Sequence, residues 1–338
     1  MRGTAENGIL GRIFKVSLLL ACMLAVFILL GISFGSTGEL GSILLQALLQ
    51  GRELDDLQLT IIFELRLPRV ILAALVGATL GTGGLVFQAL LRNPLAEPYI
   101  LGISGGSAVG AVLGMMLGLA FFPGVTVLSF VGSLLTLFLV VVLAGRGQMR
   151  QESSLLLAGV MVNAFCSAII TFLISMTQHS KLQGILFWLM GDLSQAVPVR
   201  VLGLFLLVLP CFFLIFLWAK PMNLLQFGQQ EAKSMGVNVT WISLGLLVVT
   251  SLAVSATVCL VGLVGFVGLL IPHLLRLMLG PEHRVLVPAC VLGGGAFMVG
   301  CDLLARTISS QGELPVGVIT ALIGAPAFVF FLYRSSKA

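Results

Sequence analysis

The chain has 338 residues, of which 59% are hydrophobic and only 9% are charged, and its mean hydropathy is +1.15. Soluble domains carry roughly 25% charged residues, so water is not the main solvent of this chain. Six cysteines lie singly in apolar runs without a C-x-x-C pair, which argues against a disulfide framework or a metal site. No cofactor is predicted.

Ten apolar segments follow one another along the chain, most of them close to the ~20 residues that cross a hydrocarbon core. They lie at about 13–34, 66–91, 98–118, 122–145, 153–176, 197–219, 239–262, 264–279, 285–308 and 314–333. The first run is longer than the apolar core of a signal peptide, so it is interpreted as an uncleaved span. The pattern predicts an all-α, polytopic membrane protein with one transmembrane domain, residues 1–338.

The basic residues predict the orientation of these spans. An even number of spans places both termini on one side, and that side holds twelve of the eighteen Lys and Arg residues. Because basic loops stay in the cytoplasm, both termini are predicted to be cytoplasmic. The net charge of +5 therefore reflects membrane orientation rather than nucleic-acid binding.

The second span carries the most informative local pattern. Gly77, Gly81 and Gly84 recur at spacings of four and three, the small-residue pattern that lets two helix backbones approach closely. This helix is therefore predicted to pack inside a bundle. Pro94 and Pro98 follow it in a polar turn, where a helix cannot continue through lipid.

Two stretches between the spans are too short or too polar to cross. Residues 175–195 contain an apolar segment with Trp188 and are predicted to form a short helix at the outer surface, with the tryptophan at the membrane interface. Residues 221–238 are polar and contain good helix formers from Gln229 to Met235, followed by a Gly236 stop. This loop is either solvated or a helix that a partner grips.

The chain has no energy source of its own. No G-x-x-x-x-G-K-[ST] phosphate loop is present, and no catalytic cluster stands out. A secondary transporter needs ionisable groups near the bilayer midplane, yet the deepest acid, Asp302, lies near the outer end of its helix and pairs with Arg306 at i,i+4. His179, His273 and His283 are interpreted as solvated or satisfied rather than as ligands.

Three arginines lie at outer helix ends: Arg66, Arg69 and Arg306. One interpretation is that they are ordinary snorkelling anchors. The other is an outward cationic patch that binds the carboxylates of a soluble partner, for which planar, always-charged arginine is well suited.

Several motifs in chain order give the sequence a family resemblance. They are R-L-P-R (66–69), N-P-L-A-E-P (93–98), L-L-L-A-G-V (155–160), P-M-N (221–223), G-F-V-G-L-L-I-P-H-L-L-R (265–276), H-R-V-L-V-P (283–288) and E-L-P-V-G-V-I-T-A-L-I-G-A-P (313–326). With these motifs the chain resembles the FecCD-type permeases, the membrane subunits of ATP-binding cassette (ABC) importers for ferric siderophores, haem and vitamin B12.

The resemblance implies a type II ABC importer permease fold with ten spans in the cytoplasmic (inner) membrane. It also implies a homodimer or paired permease, two cytoplasmic ATPase subunits and an external substrate-binding protein, with no catalysis by the permease itself. The expected substrate is a ferric siderophore, with cobalamin or haem as the alternatives. An ion-coupled secondary transporter is the alternative of another class.

The resemblance also assigns residues to roles. It implies that Arg66, Arg69 and Arg306 bind glutamates of the binding protein. The residues expected to couple to the ATPase are Gln226, Gln229, Gln230, Glu231, Lys233, Ser234, Met235 and Gly236. A cytoplasmic gate is expected at Asn93 and Leu95, and at Glu152 and Ser153, where vitamin B12 members have Thr and Ser.

Overall fold

The computed structural model describes residues 2–35, 55–145, 151–308 and 312–335, and these ranges contain helices and no strand. The predicted all-α fold is confirmed. The helices are α1 (Arg2–Ser33), α2 (Asp56–Leu90), α3 (Ile103–Met116), α4 (Thr126–Gly145), α5 (Gln151–Ser175), α6 (His179–Leu189), α7 (Pro198–Leu217), α8 (Ala219–Leu225), α9 (Gln229–Ser234), α10 (Val239–Val261), α11 (Val267–Leu279), α12 (His283–Thr307) and α13 (Val316–Ser335).

Seven of the helices in the described ranges are long and apolar enough to cross a membrane: α1, α2, α4, α5, α7, α10 and α12. Three further apolar helices, α3, α11 and α13, have shorter described apolar stretches. Together they account for the ten predicted spans. The 14 residues of α3 extend only about 21 Å at 1.5 Å per residue, and a 3₁₀ turn, Pro98–Leu101, precedes them.

The second span is the centre of the bundle, as its glycines predict. A Cβ on Gly77 would lie 2.1 Å from the carbonyl oxygen of Gly294 in α12, and one on Gly84 would lie 1.7 Å from that of Gly268 in α11. Gly81 faces the carbonyl of Cys290. The α2 backbone therefore touches α11 and α12 directly, which confirms the predicted close packing.

The helix bundle has two distinct ends. The arginine end is where α2 begins and α12 ends, and it contains Arg69 and Asp302, which form an ion pair. The loop end is where α8 and α9 lie. Near the start of α2, residues Ile61–Arg66 form a π-helical turn, a local widening that is frequent at functional sites.

The short helix predicted within residues 175–195 is α6, but its tryptophan is not at an interface. Trp188 is 3% exposed, and a Cβ on Gly262 would lie 2.0 Å from its carbonyl oxygen. The apolar face of α6 therefore packs on the loop after α10. Amphipathic patterning alone could not distinguish this packing from interfacial burial, because both favour an aromatic residue at that position.

Candidate transport and coupling sites

The arginine end holds a buried cluster of charges. Arg69 Nε lies 2.9 Å from Asp302 Oδ1, and Arg69 Nη1 forms a second ion pair with Glu313. Arg306 Nε lies 2.9 Å from Asp302 Oδ2, which confirms the i,i+4 pair read from the sequence. Asp302 is fully buried and joins two arginines from two helices, which offsets the cost of burying its charge.

The other guanidinium contacts in this cluster go to the end of the first span. Arg66 Nη1 donates to the carbonyls of Ile32 at 2.7 Å and Ser33 at 3.0 Å. Arg306 Nη2 donates to Gly31 O at 3.1 Å. The last carbonyls of a helix lack partners within the helix and carry partial negative charge, so cations stabilise them. Two arginines thereby fasten α1 to α2 and α12.

This geometry gives the three arginines internal partners. Arg66 and Arg306 are each 4% exposed, whereas the side chain of Arg69 is 12% exposed and that of its partner Glu313 is 31% exposed. Arg306 lies in the last turn of α12, as predicted. Arg66 and Arg69, however, are the eleventh and fourteenth residues of α2, because that helix begins at Asp56 and not at the predicted residue 66. The sequence gave no sign that Arg69 shares Asp302 with Arg306, because 233 residues separate Arg69 from Asp302.

The polar loop at the other end forms two short helices, α8 and α9, separated by a turn. Gly236 has a φ of +86° and follows α9 as the predicted stop. Ala232 is buried and anchors α9, and Gln229 is half-buried. The remaining predicted coupling residues are exposed: Gln226, Gln230, Glu231, Lys233, Ser234, Met235 and Gly236.

Two large apolar side chains are exposed on this otherwise polar segment. Phe227 is 69% exposed and Met235 is 59% exposed. Water does not favour this arrangement, and apolar residues rimmed by polar ones are typical of a protein-binding surface. Of the two interpretations left open by the sequence, the surface favours a segment that a partner contacts.

The predicted gate turn follows α2 directly. Asn93 Oδ1 accepts a hydrogen bond from the Leu95 N–H at 2.9 Å, which closes the turn, and Leu95 is 44% exposed. Ser153 is exposed in the first turn of α5. Glu152 also belongs to that turn, but its side chain lies outside the described part of the structure, so its predicted role stays a prediction. The structure thus places Asn93, Leu95 and Ser153 at the loop end.

The next acidic residue, Glu97, ties this turn to the bundle. Burial raises the pKa of its carboxyl group, while a backbone hydrogen bond from Phe266 opposes that rise. Phe266 has a φ of +68° just before α11. The gate turn is therefore connected to the start of α11 as well as to the end of α2.

The gate turn, which contains Asn93 and Leu95, and the coupling segment, residues 221–238, are neighbours. A Cβ on Gly228 would lie 3.6 Å from Arg92 Nη1. A cavity of about 300 Å³ separates the end of α2 from α9 and α10; Leu91, Gln229 and Lys233 are among its lining residues. A displacement of α9 therefore has a short route to the turn after α2.

In the described part of the chain, no cluster of His, Cys, Asp or Glu could hold a metal ion.

The fold and these sites define a class: a multi-pass helical membrane protein with a central glycine-packed span and a polar segment with exposed apolar side chains at one end. The model of the FecCD transport family matches residues 23–334. The chain belongs to this family and is the permease subunit of an ABC importer, a transport subunit rather than an enzyme.

Individual relatives agree with this assignment. The vitamin B12 import system permease protein BtuC of Klebsiella pneumoniae is 40% identical over 277 residues, covering 81% of this chain and 82% of the relative. The hemin transport system permease protein HmuU of Yersinia pestis is 36% identical over 334 residues, covering 97% and 98%. An inward-facing structure of a putative metal-chelate type ABC transporter superposes with a TM-score of 0.85 at 31% identity, covering 95% of this chain and 99% of that one.

Proposed function

We propose that two permease subunits, either two copies of this chain or this chain and a related one, form the membrane pathway of an importer for an iron chelate. Two ATPase subunits bind the loop end in the cytoplasm, and a substrate-binding protein docks at the arginine end. Both termini lie in the cytoplasm, and the single domain spans the cytoplasmic membrane. Family membership carries this proposal, and the exposed apolar residues of the coupling segment support it.

Docking at the arginine end involves Arg66, Arg69 and Arg306. Among the residues that the structure describes, the cluster contains three guanidinium groups and the carboxylates of Asp302 and Glu313. Glu313 is the most exposed member of the ion pairs. A glutamate of the binding protein would therefore reach Arg69 by replacing Glu313, while Arg66 and Arg306 hold the helices beneath it in place.

Coupling begins with ATP binding to the partner subunits, which moves α9. The shift passes to the turn of Asn93 and Leu95, which opens and closes the passage in alternation with the arginine end. The proximity of Gly228 to Arg92 supports this route. Ser153, and Glu152 with it, would border the same constriction from the start of α5.

A ferric siderophore is the proposed substrate, and the names of the relatives favour cobalamin and haem as the other candidates. All three are large, and a hollow of about 640 Å³ lined by Tyr99, Leu263 and small residues of α13 offers an apolar wall with few charges. Such a wall permits a bulky chelate without selecting one.

The experiment is an uptake assay with proteoliposomes that contain the complete importer with its own ATPase and binding protein. Labelled ferric siderophore, haem and cobalamin are offered separately with ATP inside. Uptake of the siderophore alone supports the proposed substrate, and uptake of haem or cobalamin alone replaces it with that compound. Binding of each compound to the isolated binding protein should give the same order.

A further inference from the structure

The loop end contains a hydrogen-bond network that joins the coupling segment to α12. Asn223 Oδ1 accepts from the backbone N–H of His283 at 2.8 Å and lies 2.8 Å from Nδ1 of the same residue. Asn223 Nδ2 donates to Glu282 Oε1 at 2.7 Å. Partial burial raises the pKa of Glu282, but hydrogen bonds from Arg284 and Asn223 lower it overall, so the carboxylate is held in its charged, accepting form.

These contacts fix the state of the histidine ring. Since Nδ1 donates to Asn223, the neutral ring presents Nε2 as an acceptor, and Gln226 Nε2 lies 3.5 Å from it. Gln226 belongs to the predicted coupling residues, and His283 is fully buried as the first residue of α12. The coupling segment therefore contacts both ring nitrogens of one buried histidine.

Asn223 acts as a helix cap from another helix. The first N–H groups of a helix have no partner within it, and a side-chain oxygen usually comes from the residue just before the helix. Here the His283 N–H is satisfied by α8, sixty positions earlier in the chain. The first turn of α12 is consequently bound to the segment that precedes α9.

The helix held by this cap reaches the other end of the bundle. α12 has 25 residues, which is about 37 Å at 1.5 Å per residue. Its middle touches the α2 backbone at Gly294 and Gly77, and its last turns carry Asp302 and Arg306. A shift of α8 is therefore passed to a stiff helix that contacts both the central span and the arginine cluster.

We propose that Asn223 is a positioning residue for coupling. It binds the coupling segment to α12 through His283 and Glu282, so that movement at the loop end reaches the arginine end. This inference rests on the proposed coupling role of the segment. It adds a second route, along α12, to the short route from α9 to the gate turn.

The test compares variants of the complete importer in proteoliposomes and measures substrate imported per ATP hydrolysed. Asn223→Ala removes the contacts with His283 and Glu282. It should lower that ratio by roughly fivefold or more, the scale of a typical coupling between sites. The control is Thr171→Ala, because Thr171 Oγ1 donates to the Ser167 carbonyl at 2.9 Å within α5, outside residues 221–238. Its ratio should stay at the wild-type value.

A second variant separates coupling from folding. Asn223→Asp combined with Glu282→Gln exchanges the amide and the carboxylate, which keeps an acceptor for His283 and a donor–acceptor pair between the two side chains. This pair should restore most of the ratio lost in Asn223→Ala. A wild-type ratio in folded Asn223→Ala, or no recovery in the exchanged pair, would overturn the proposal. Failure of the proposed function would appear differently, as no ATP-dependent import by the unsubstituted complex.

Discussion

At the scale of single residues, the arginine end is notable for the number of charges that it buries. Removing an unpaired ion from water costs several kcal/mol, and Asp302, Arg66 and Arg306 are each no more than 4% exposed. These charges share partners: Asp302 pairs with two arginines, and carbonyls at the end of α1 accept hydrogen bonds from Arg66 and Arg306. Such a cluster holds three helices together, and its most exposed member is Glu313, the residue that we propose is displaced on docking.

If an incoming carboxylate takes the place of Glu313, two substitutions should have opposite effects on docking. Arg69→Gln removes the cation and should weaken binding of the substrate-binding protein by roughly tenfold or more, the scale of a charged hydrogen bond. Glu313→Gln removes the competitor and should strengthen it. Binding to the permease in nanodiscs, measured at two salt concentrations, tests both.

A control arginine lies at the beginning of α7. Arg200 stacks on Phe122 with its Cζ 5.0 Å from the ring centroid and does not belong to the cluster, so Arg200→Gln should leave docking unchanged. If Glu313→Gln weakened binding as much as Arg69→Gln, the ion pairs would be purely structural and the exchange would be wrong.

Residue-level features differ in how far the sequence could predict them. The Asp302–Arg306 pair follows from helical spacing, and the helix-end position of Arg306 follows from the hydropathy pattern. The second partner of Asp302 and the contact of Asn223 with His283 depend on how separate helices pack, and no local rule carries that information. The motifs R-L-P-R, P-M-N and H-R-V-L-V-P marked these residues without showing that they meet.

At the scale of helices, close backbone packing organises the bundle around α2. Lipid provides no hydrophobic driving force between helices, so association depends on van der Waals contact and small residues. The glycine spacing in α2 was therefore enough to predict its burial. The partners, α11 and α12, could not be read from it, because their facing residues Gly268 and Gly294 come from distant parts of the chain.

Gly84→Ala tests this packing. The added methyl group would lie 1.7 Å from Gly268 O, so α2 and α11 must separate, and overpacking of this kind typically costs about 1–3 kcal/mol. The thermal unfolding midpoint in detergent should fall clearly. Gly203→Ala in α7 is the control, because nothing lies within 4 Å of its added Cβ, and its midpoint should not fall. Equal midpoints for the two variants would contradict the packing described for α2.

The coupling segment is the second element that can be tested by itself. Met235 and Phe227 are exposed, so Met235→Ser and Phe227→Ser should leave thermal stability near wild type while weakening association with the ATPase by roughly tenfold each, as expected for apolar anchors of an interface. Co-purification and ATPase activity of the complex measure this.

Met278→Ser is the matched control for that experiment, since Met278 is 71% exposed near the end of α11 and outside the segment. Normal ATPase association in both segment variants would show that α9 and its flanking turns are a solvated loop, the interpretation that the sequence also allowed.

At the scale of the whole molecule, the two ends of the helix bundle carry different chemistry. The arginine end contains ion pairs, the loop end presents exposed apolar side chains, and α12 reaches from one end to the other. Composition predicted the membrane class and the number of apolar segments, because each crossing needs a long apolar run. Composition could not predict the substrate, since a weakly polar wall admits many bulky solutes.

As a permease subunit of an ABC importer, this chain takes its energy from a separate ATPase. The direct measurement is solute accumulation by proteoliposomes that contain either the permease alone under an ion gradient or the permease with its ATPase, binding protein and ATP. We predict accumulation only in the second preparation. Accumulation by the permease alone, driven by the ion gradient, would contradict the account.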